Sequence, residues 1–361
     1  MGEPCLTMDN SRGGALQRAS ALWNGSALWA FVLRRLVWSV ATVAGVVAVT
    51  FVVSHIIPAD PAALVAGERA TREQIEALRH QLGFDRPLIS QLADYYIRLV
   101  QGDLGKSLFT SRQVSADLFS RLPATIELTL AAMVLTICIG VPIGVLSALR
   151  RNSWVDHVVR LVTVSGLAIA SFWLAIILQL TFAMDLGWLP LGSRLPSGVA
   201  PPPTITGLYL IDSLLAGDLK TFCIAAAHLA LPTATLAFPA MATIVRFTRA
   251  GMLDTLNKPF VQYARAMGLP ESLVVWKYML RNALTSTVTQ IGLVAGALLG
   301  GAVVIEAVFD WPGLGYYAVN SIVMSDYNAV LGFTVWVAII YIAINVAVDI
   351  LHRLIDPRGT V

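Results

Sequence analysis

The chain has 361 residues, 57% of them hydrophobic and only 13% charged, with a mean hydropathy of +0.72; soluble domains use about 45–50% apolar and about 25% charged residues, so the bilayer is the expected solvent. A formal net charge of +3 gives no footing for a nucleic-acid partner. Three cysteines, Cys5, Cys138 and Cys223, and five histidines, His55, His80, His157, His228 and His352, are scattered without ligand or disulfide spacing, which argues against a metal centre or a disulfide framework.

In chain order, residues 1–28 show little periodicity and are expected to form a disordered extension without assigned function. Residues 29–361 read as one membrane domain. Six stretches lack Asp, Glu, Lys and Arg: 36–57, 128–149, 161–184, 221–245, 282–305 and 327–348. About 20 residues at about 1.5 Å each cross the hydrocarbon core, so each stretch predicts one transmembrane helix. Arg34 and Arg35 precede a run longer than the apolar region of a secretory signal, and no small-residue cleavage site follows it.

The basic residues sit on alternate connections: Arg34 and Arg35; Arg150, Arg151 and Arg160; Arg246, Arg249, Lys258, Arg265, Lys277 and Arg281; Arg353 and Arg358. Those connections, and with them both termini, are expected in the cytoplasm. The first outer connection, 58–123, predicts a small extracytoplasmic cap, with a capping-box start at Thr71-Arg72-Glu73-Gln74 and an apolar pair at Tyr95-Tyr96. The second outer connection runs from 187 to 220. It opens with Pro- and Gly-rich loop chemistry and then shows an apolar stretch at 208–215, which predicts a partly ordered lip. Within the cap, Gly102-Asp103-Leu104-Gly105-Lys106-Ser107 ends like a phosphate loop, but Val100 stands where the first glycine belongs. A glycine turn is the better reading, and any ATP-driven motor must be another chain.

The longest inner connection, 246–281, reads helix, break, helix. Gly268 suits a left-handed terminal position after residues 260–267, Pro270 and Glu271 suit the first turn of the next helix, and Ala264 with Ala266 makes the first helix small-sided. Taken alone, such a loop could equally be an amphipathic segment held at lipid headgroups. Glu127, Asp156, Asp185, Glu306 and Asp349 fall at predicted span ends, where water or headgroups are expected to solvate them; acids so placed make a poor proton relay. Pro142, Pro232 and Pro239 can kink helices, and Gly140, Gly144, Gly292, Gly296, Gly300 and Gly301 permit close packing.

The run Tyr263-Ala264-Arg265-Ala266-Met267-Gly268-Leu269, followed by Arg281-Asn282-Ala283-Leu284, resembles the coupling-loop motif of ABC importer permeases. The motif's Glu is not met, and Met267 stands where the peptide and nickel branch often has Lys. Further landmarks of that branch occur in order: Ile57-Pro58-Ala59-Asp60-Pro61, Leu82-Gly83-Phe84-Asp85-Arg86-Pro87, Leu122-Pro123-Ala124-Thr125-Ile126-Glu127, His228-Leu229-Ala230-Leu231-Pro232, Pro312-Gly313-Leu314-Gly315 and Asp356-Pro357-Arg358. The resemblance is to the first permease of a dipeptide or oligopeptide system. It implies an all-α type I importer fold with six transmembrane helices in the bacterial inner membrane. It also implies a second homologous permease, two cytoplasmic ATPases that bind the ATP and Mg, and an extracytoplasmic solute-binding protein. No cofactor and no catalysis are expected of this chain. A nickel-chelate importer and an ion-coupled secondary carrier are the alternatives.

Overall fold

A computed structural model of the chain describes residues 25–56, 61–67 and 70–355. Most of the N-terminal extension, the Pro58-Ala59-Asp60 landmark and the Asp356-Pro357-Arg358 landmark lie outside the described residues. Residues 25–28, assigned by sequence to the extension, already belong to the first helix, α1 (Gly25–Ile56).

Three short helices follow α1 before the chain returns to the bundle. α2 is Pro61–Ala66, α3 is Arg72–Leu82 and α4 is Leu88–Val100. The start of α3 is the expected capping box: the Thr71 hydroxyl accepts from the Gln74 N–H at 3.3 Å, and the Gln74 side chain accepts from the Thr71 N–H at 2.9 Å. The phosphate-loop look-alike is a turn, with Gly102 and Gly105 at φ +78° and +79°. Ser107 at its end donates to the buried Asp326 carboxylate at 2.5 Å, which pins the turn to the far end of the chain.

The bundle itself is α5 (Val114–Leu149), α6 (Trp154–Ala168), α7 (Ser171–Leu178) with its π-helical continuation Gln179–Asp185, α8 (Tyr209–Leu215), α9 (Leu219–Leu256), α10 (Pro259–Ala266), α11 (Glu271–Leu273), α12 (Leu280–Val308), α13 (Leu314–Val323) and α14 (Tyr327–Ile355). Five helices are long and apolar enough to cross a membrane unbroken, and the pair α6 and α7 makes a sixth if counted as one span. That pair corrects the expectation of a single helix over 161–184. The chain bends by 107° at Ile169 and Ala170, whose ψ values of 127° and 130° are extended. Neither proline nor glycine marks the break. The second stretch differs too, because α5 begins at Val114, ahead of the charge-free residues.

Helix α9 is the central post. Thr136 of α5 reaches the Ala237 carbonyl of α9 at 3.5 Å, and a Cβ at Gly144 would stand 2.7 Å from Thr248. Small residues therefore set how closely α5 and α9 approach. Gly251 of α9 meets the α12 backbone in the same way, with a Cβ there falling 2.6 Å from the Ala283 oxygen. Gly300 is the exception among the flagged glycines, with open space around it. Side chains such as Val49, Val134, Leu161 and Leu293 are exposed on the bundle's outside, as lipid-facing residues are.

Candidate functional site

At the inner-connection end of α9 the chain turns sharply and builds a small platform. Pro259 stands at the first helical position of α10, where its missing N–H costs nothing. Val261 and Ala264, three residues apart, point inward and are buried with Val145 and Ala148 of α5, Met252 of α9, and Val274, Val275 and Met279 beyond the turn. The platform is thus rooted in the bundle. Its other face is open: Tyr263 is 67% exposed and Met267 62%, and Arg265, Ala266 and Gly268 are also exposed.

Gly268 closes α10 at φ +74°, the left-handed position expected of it. The Gly268 N–H donates to the Arg265 carbonyl at 2.9 Å and the Leu269 N–H to the Ala264 carbonyl at 3.3 Å, the paired bonds of a Schellman cap. Leu269 packs on the same apolar cluster. Two details of the sequence reading change. Ala264 is turned into the core, so the exposed small side rests on Ala266 alone, and Pro270 is the residue before α11 rather than inside its first turn.

The sequence reading missed what surrounds the turn. Arg265 grips Glu271 across it, with Nε to Oε2 at 3.2 Å and Nη2 to Oε1 at 2.5 Å. The Arg265 side chain holds the Glu271 carboxyl below the usual range despite some burial, and Glu271 in turn raises the guanidinium. Trp276 and Tyr278, in the π-helical stretch Val274–Met279 that leads into α12, are 53% and 37% exposed and enlarge the aromatic face.

Beneath the platform lies a buried ion pair. Asp156 of α6 is fully buried and takes both arms of Arg249 of α9, at 2.7 and 2.9 Å, together with the Ser147 hydroxyl at 2.6 Å and the Asn152 N–H at 3.1 Å. The opposite end of the bundle has its own. Glu127 is paired with Arg194 of the loop after α7, and the Leu210 N–H donates to its other oxygen at 2.8 Å. The Arg194 guanidinium lies 3.5 Å over the Tyr209 ring. Glu306 is fully buried and accepts from the Thr125 hydroxyl and the Gly315 N–H, both at 2.6 Å. These three carboxylates correct the expectation of solvation by water or headgroups; protein donors from distant segments replace the solvent. Asp185 is exposed as expected, and the Asp349 side chain lies outside the described residues.

In the same outer loop, burial alone would raise the Asp212 carboxyl. The Thr206 hydroxyl and the N–H groups of Ile205, Thr206 and Gly207 hold it below its ordinary value. Ser193, at φ +65°, donates its N–H to the Phe309 carbonyl at 2.8 Å, and a Cβ on neighbouring Gly192 would overlap that oxygen. The lip is thereby fastened to the end of α12. Among the described residues no group of three or more His, Cys, Asp or Glu is placed to hold a metal ion.

Fold and site together define a multi-pass helical membrane subunit that carries a rigid, exposed helical turn at one end. Residues 140–360 match the family described as the inner membrane component of binding-protein-dependent transport systems, and residues 28–129 match that family's N-terminal region. The chain is 44% identical over 328 residues to the probable D,D-dipeptide transport system permease protein DdpB of Escherichia coli strain K12, covering 91% of this chain and 96% of that one. It is 38% identical over 329 residues to the dipeptide transport system permease protein DppB of Alkalihalophilus pseudofirmus, covering 91% and 98%. A chain of the MetNI methionine ABC transporter, crystallised inward-facing, shares the fold with a TM-score of 0.50 at 20% identity, over 66% of this chain and 96% of that one. The present chain belongs to the family of inner membrane components of binding-protein-dependent transport systems.

Proposed function

We propose that this chain is the channel-forming permease of an ATP-driven importer of dipeptides or short oligopeptides, and that the turn formed by Tyr263, Ala264, Arg265, Ala266, Met267, Gly268 and Leu269 is where an ATPase docks. The two relatives named above are peptide permeases across almost their whole length, which supports the substrate class. The observation that carries the docking role is the two-sided platform: Val261 and Ala264 lock it to α5 and α9, while Tyr263 and Met267 stand free on its far side. A push on such an element moves the bundle. It cannot be absorbed by a flexible loop.

In this reading 246–281 faces the cytoplasm, as do both termini, and 58–123 with the lip 187–220 faces a loaded solute-binding protein. A second homologous permease completes the pathway. ATP and Mg are bound by two partner ATPases, and this chain catalyses no covalent step. Motor closure swings the spans from inward-open to outward-open.

Gly268→Asp tests the role. A Cβ at this position meets nothing within 4 Å, so the change adds about 1–2 kcal/mol of left-handed strain and a charge, without a clash inside the subunit. The variant is expected to insert and pair with its sibling but to lose binding-protein-stimulated ATP hydrolysis and peptide uptake in reconstituted membranes. Wild-type stimulation and uptake would refute the docking role.

A further inference from the structure

Three long helices join the platform to the opposite end of the bundle: α5, α9 and α12. α5 contains Pro123 and Pro142 and α9 contains Pro232 and Pro239, whereas the 29 residues of α12 include no proline. Proline removes a helical hydrogen bond and lets a helix bend, so α12 alone runs without such a joint, over about 43 Å at about 1.5 Å per residue. Gly292 and Gly296 within it are backed by Val348 and Tyr341 of α14, which a Cβ at either glycine would overlap. The first turns of α12 belong to the platform: Ala283 is buried in the platform's apolar cluster, and Leu280 packs on it.

The other end of α12 turns into α13 through a corner that Glu306 closes. The Glu306 carbonyl accepts from the Trp311 N–H at 2.9 Å, and its buried carboxyl accepts from the first N–H groups of α13, Gly315 at 2.6 Å and Tyr316 at 3.1 Å. These N–H groups have no partner within their own helix, and one side chain answers two of them. The same carboxyl takes the Thr125 hydroxyl of α5 at 2.6 Å, while Thr125 accepts from the Leu314 N–H at 2.8 Å. A Cβ on Gly313 would overlap the Glu306 carboxyl, so glycine there lets the carboxyl reach the helix start. The lip rests on this corner. Besides the bond from Ser193 to Phe309, the Gln179 amide bridges the Leu191 carbonyl of the lip at 2.9 Å and the Val308 carbonyl of α12 at 3.2 Å. The Arg194 guanidinium lies 5.7 Å from the Trp311 ring centre.

We infer that Glu306 is a positioning residue for transport: it clamps the corner between α12, α13 and α5, so that motion imposed on the platform travels along α12 and moves the lip. An unclamped corner would absorb the displacement instead of passing it on, because its helix-end N–H groups and the Thr125 hydroxyl would lose their common acceptor. The inference rests on the docking role proposed for the platform and adds the route from there to the opposite end.

Protease cleavage of the lip in the whole transporter, assembled in nanodiscs with its ATPases and binding protein, tests it. In wild type, cutting within 187–208 should be about tenfold faster in the ATP-trapped state than without nucleotide, and Glu306→Ala should bring both rates to the slow, nucleotide-free value. Glu306→Gln can still accept from the α13 N–H groups and donate to Thr125, so it should keep most of the wild-type difference. Thr125→Val removes only the hydroxyl and should give an intermediate difference, which serves if Glu306→Ala does not assemble. Leu128→Ala opens a cavity in the neighbouring core, where Leu128 is fully buried, and should lower stability but leave the difference intact. Equal rates in wild type, a wild-type difference in Glu306→Ala, or fast cutting in both of its states would overturn the inference. Loss of the difference in Leu128→Ala would overturn it too, since any loosening of the core would then suffice. A photo-crosslinker at Tyr263 in the same complexes separates the two readings. A crosslink to the ATPase beside an unchanged difference in Glu306→Ala defeats the clamp alone; no such crosslink in wild type defeats the docking role and the clamp with it.

Discussion

The two ends of α5 each bury a carboxylate against an arginine, and the partners are mounted differently. At the platform end, Asp156 and Arg249 both sit on bundle helices, α6 and α9, with the guanidinium 20% exposed. At the opposite end, Glu127 is on α5, but Arg194 comes from the loop after α7 and is only 8% exposed. A pair between two helices fixes the angle between them; a pair between a helix and a loop fastens a cover. The platform end is thus stiff and presents its surface outward. The lip end is closed over by a segment that can leave.

That contrast orders the consequences of breaking each pair. Arg249→Ala strands the Asp156 charge among helices that cannot move apart, with only Arg160 nearby at 3.6 Å. We expect a loss of about 3–5 kcal/mol, read as a lower unfolding temperature in detergent and a partial recovery on adding Asp156→Asn. Unchanged unfolding would mean that the pair holds nothing.

Arg194→Ala should be milder, about 1–3 kcal/mol, because Glu127 can regain water once the loop swings out. Limited proteolysis should then cut within 187–208 at least several-fold faster than in wild type, while the platform stays protected. Equal protection of the loop would show that the Ser193 and Asp212 hydrogen bonds hold it without Arg194.

The smallest effect belongs to Arg265 and Glu271, whose side chains are 41% and 58% exposed. The folded Glu271 carboxyl titrates below its unfolded value of about 4.3. Its contribution is therefore complete above that pH and is lost as the pH falls through the depressed folded value. Trp276 fluorescence should be flat from neutrality down to that range and change only below it, and Glu271→Gln should shift stability by less than about 1 kcal/mol. A transition near neutrality would contradict the pairing.

What the sequence revealed was mostly local. Apolar runs, the Thr71 to Gln74 box and the left-handed Gly268 depend on residues a few positions apart, and each was readable. Long-range pairing was not. Asp156 finds Arg249 93 residues away, Glu127 finds Arg194 67 away and Glu306 finds Thr125 181 away, so charge position along the chain wrongly suggested solvent. The break at Ile169 and Ala170 carries no breaker residue and is set by how α6 and α7 pack on the central post; Gly166 against Ala242 and Phe238 is part of that contact. Inward rotation of Ala264 was equally hidden, because small residues carry no sidedness of their own.

The most direct test of the platform's role is a photo-crosslinking residue at Tyr263, the exposed side chain next to the locked Ala264, in the fully assembled transporter. It should join this chain to an ATPase subunit, with a yield that changes between nucleotide-free and ATP-trapped states, while the same residue at Glu73 on α3 should give no such product. Crosslinks from position 263 only to lipid, in a complex that hydrolyses ATP and imports peptide normally, would contradict the account.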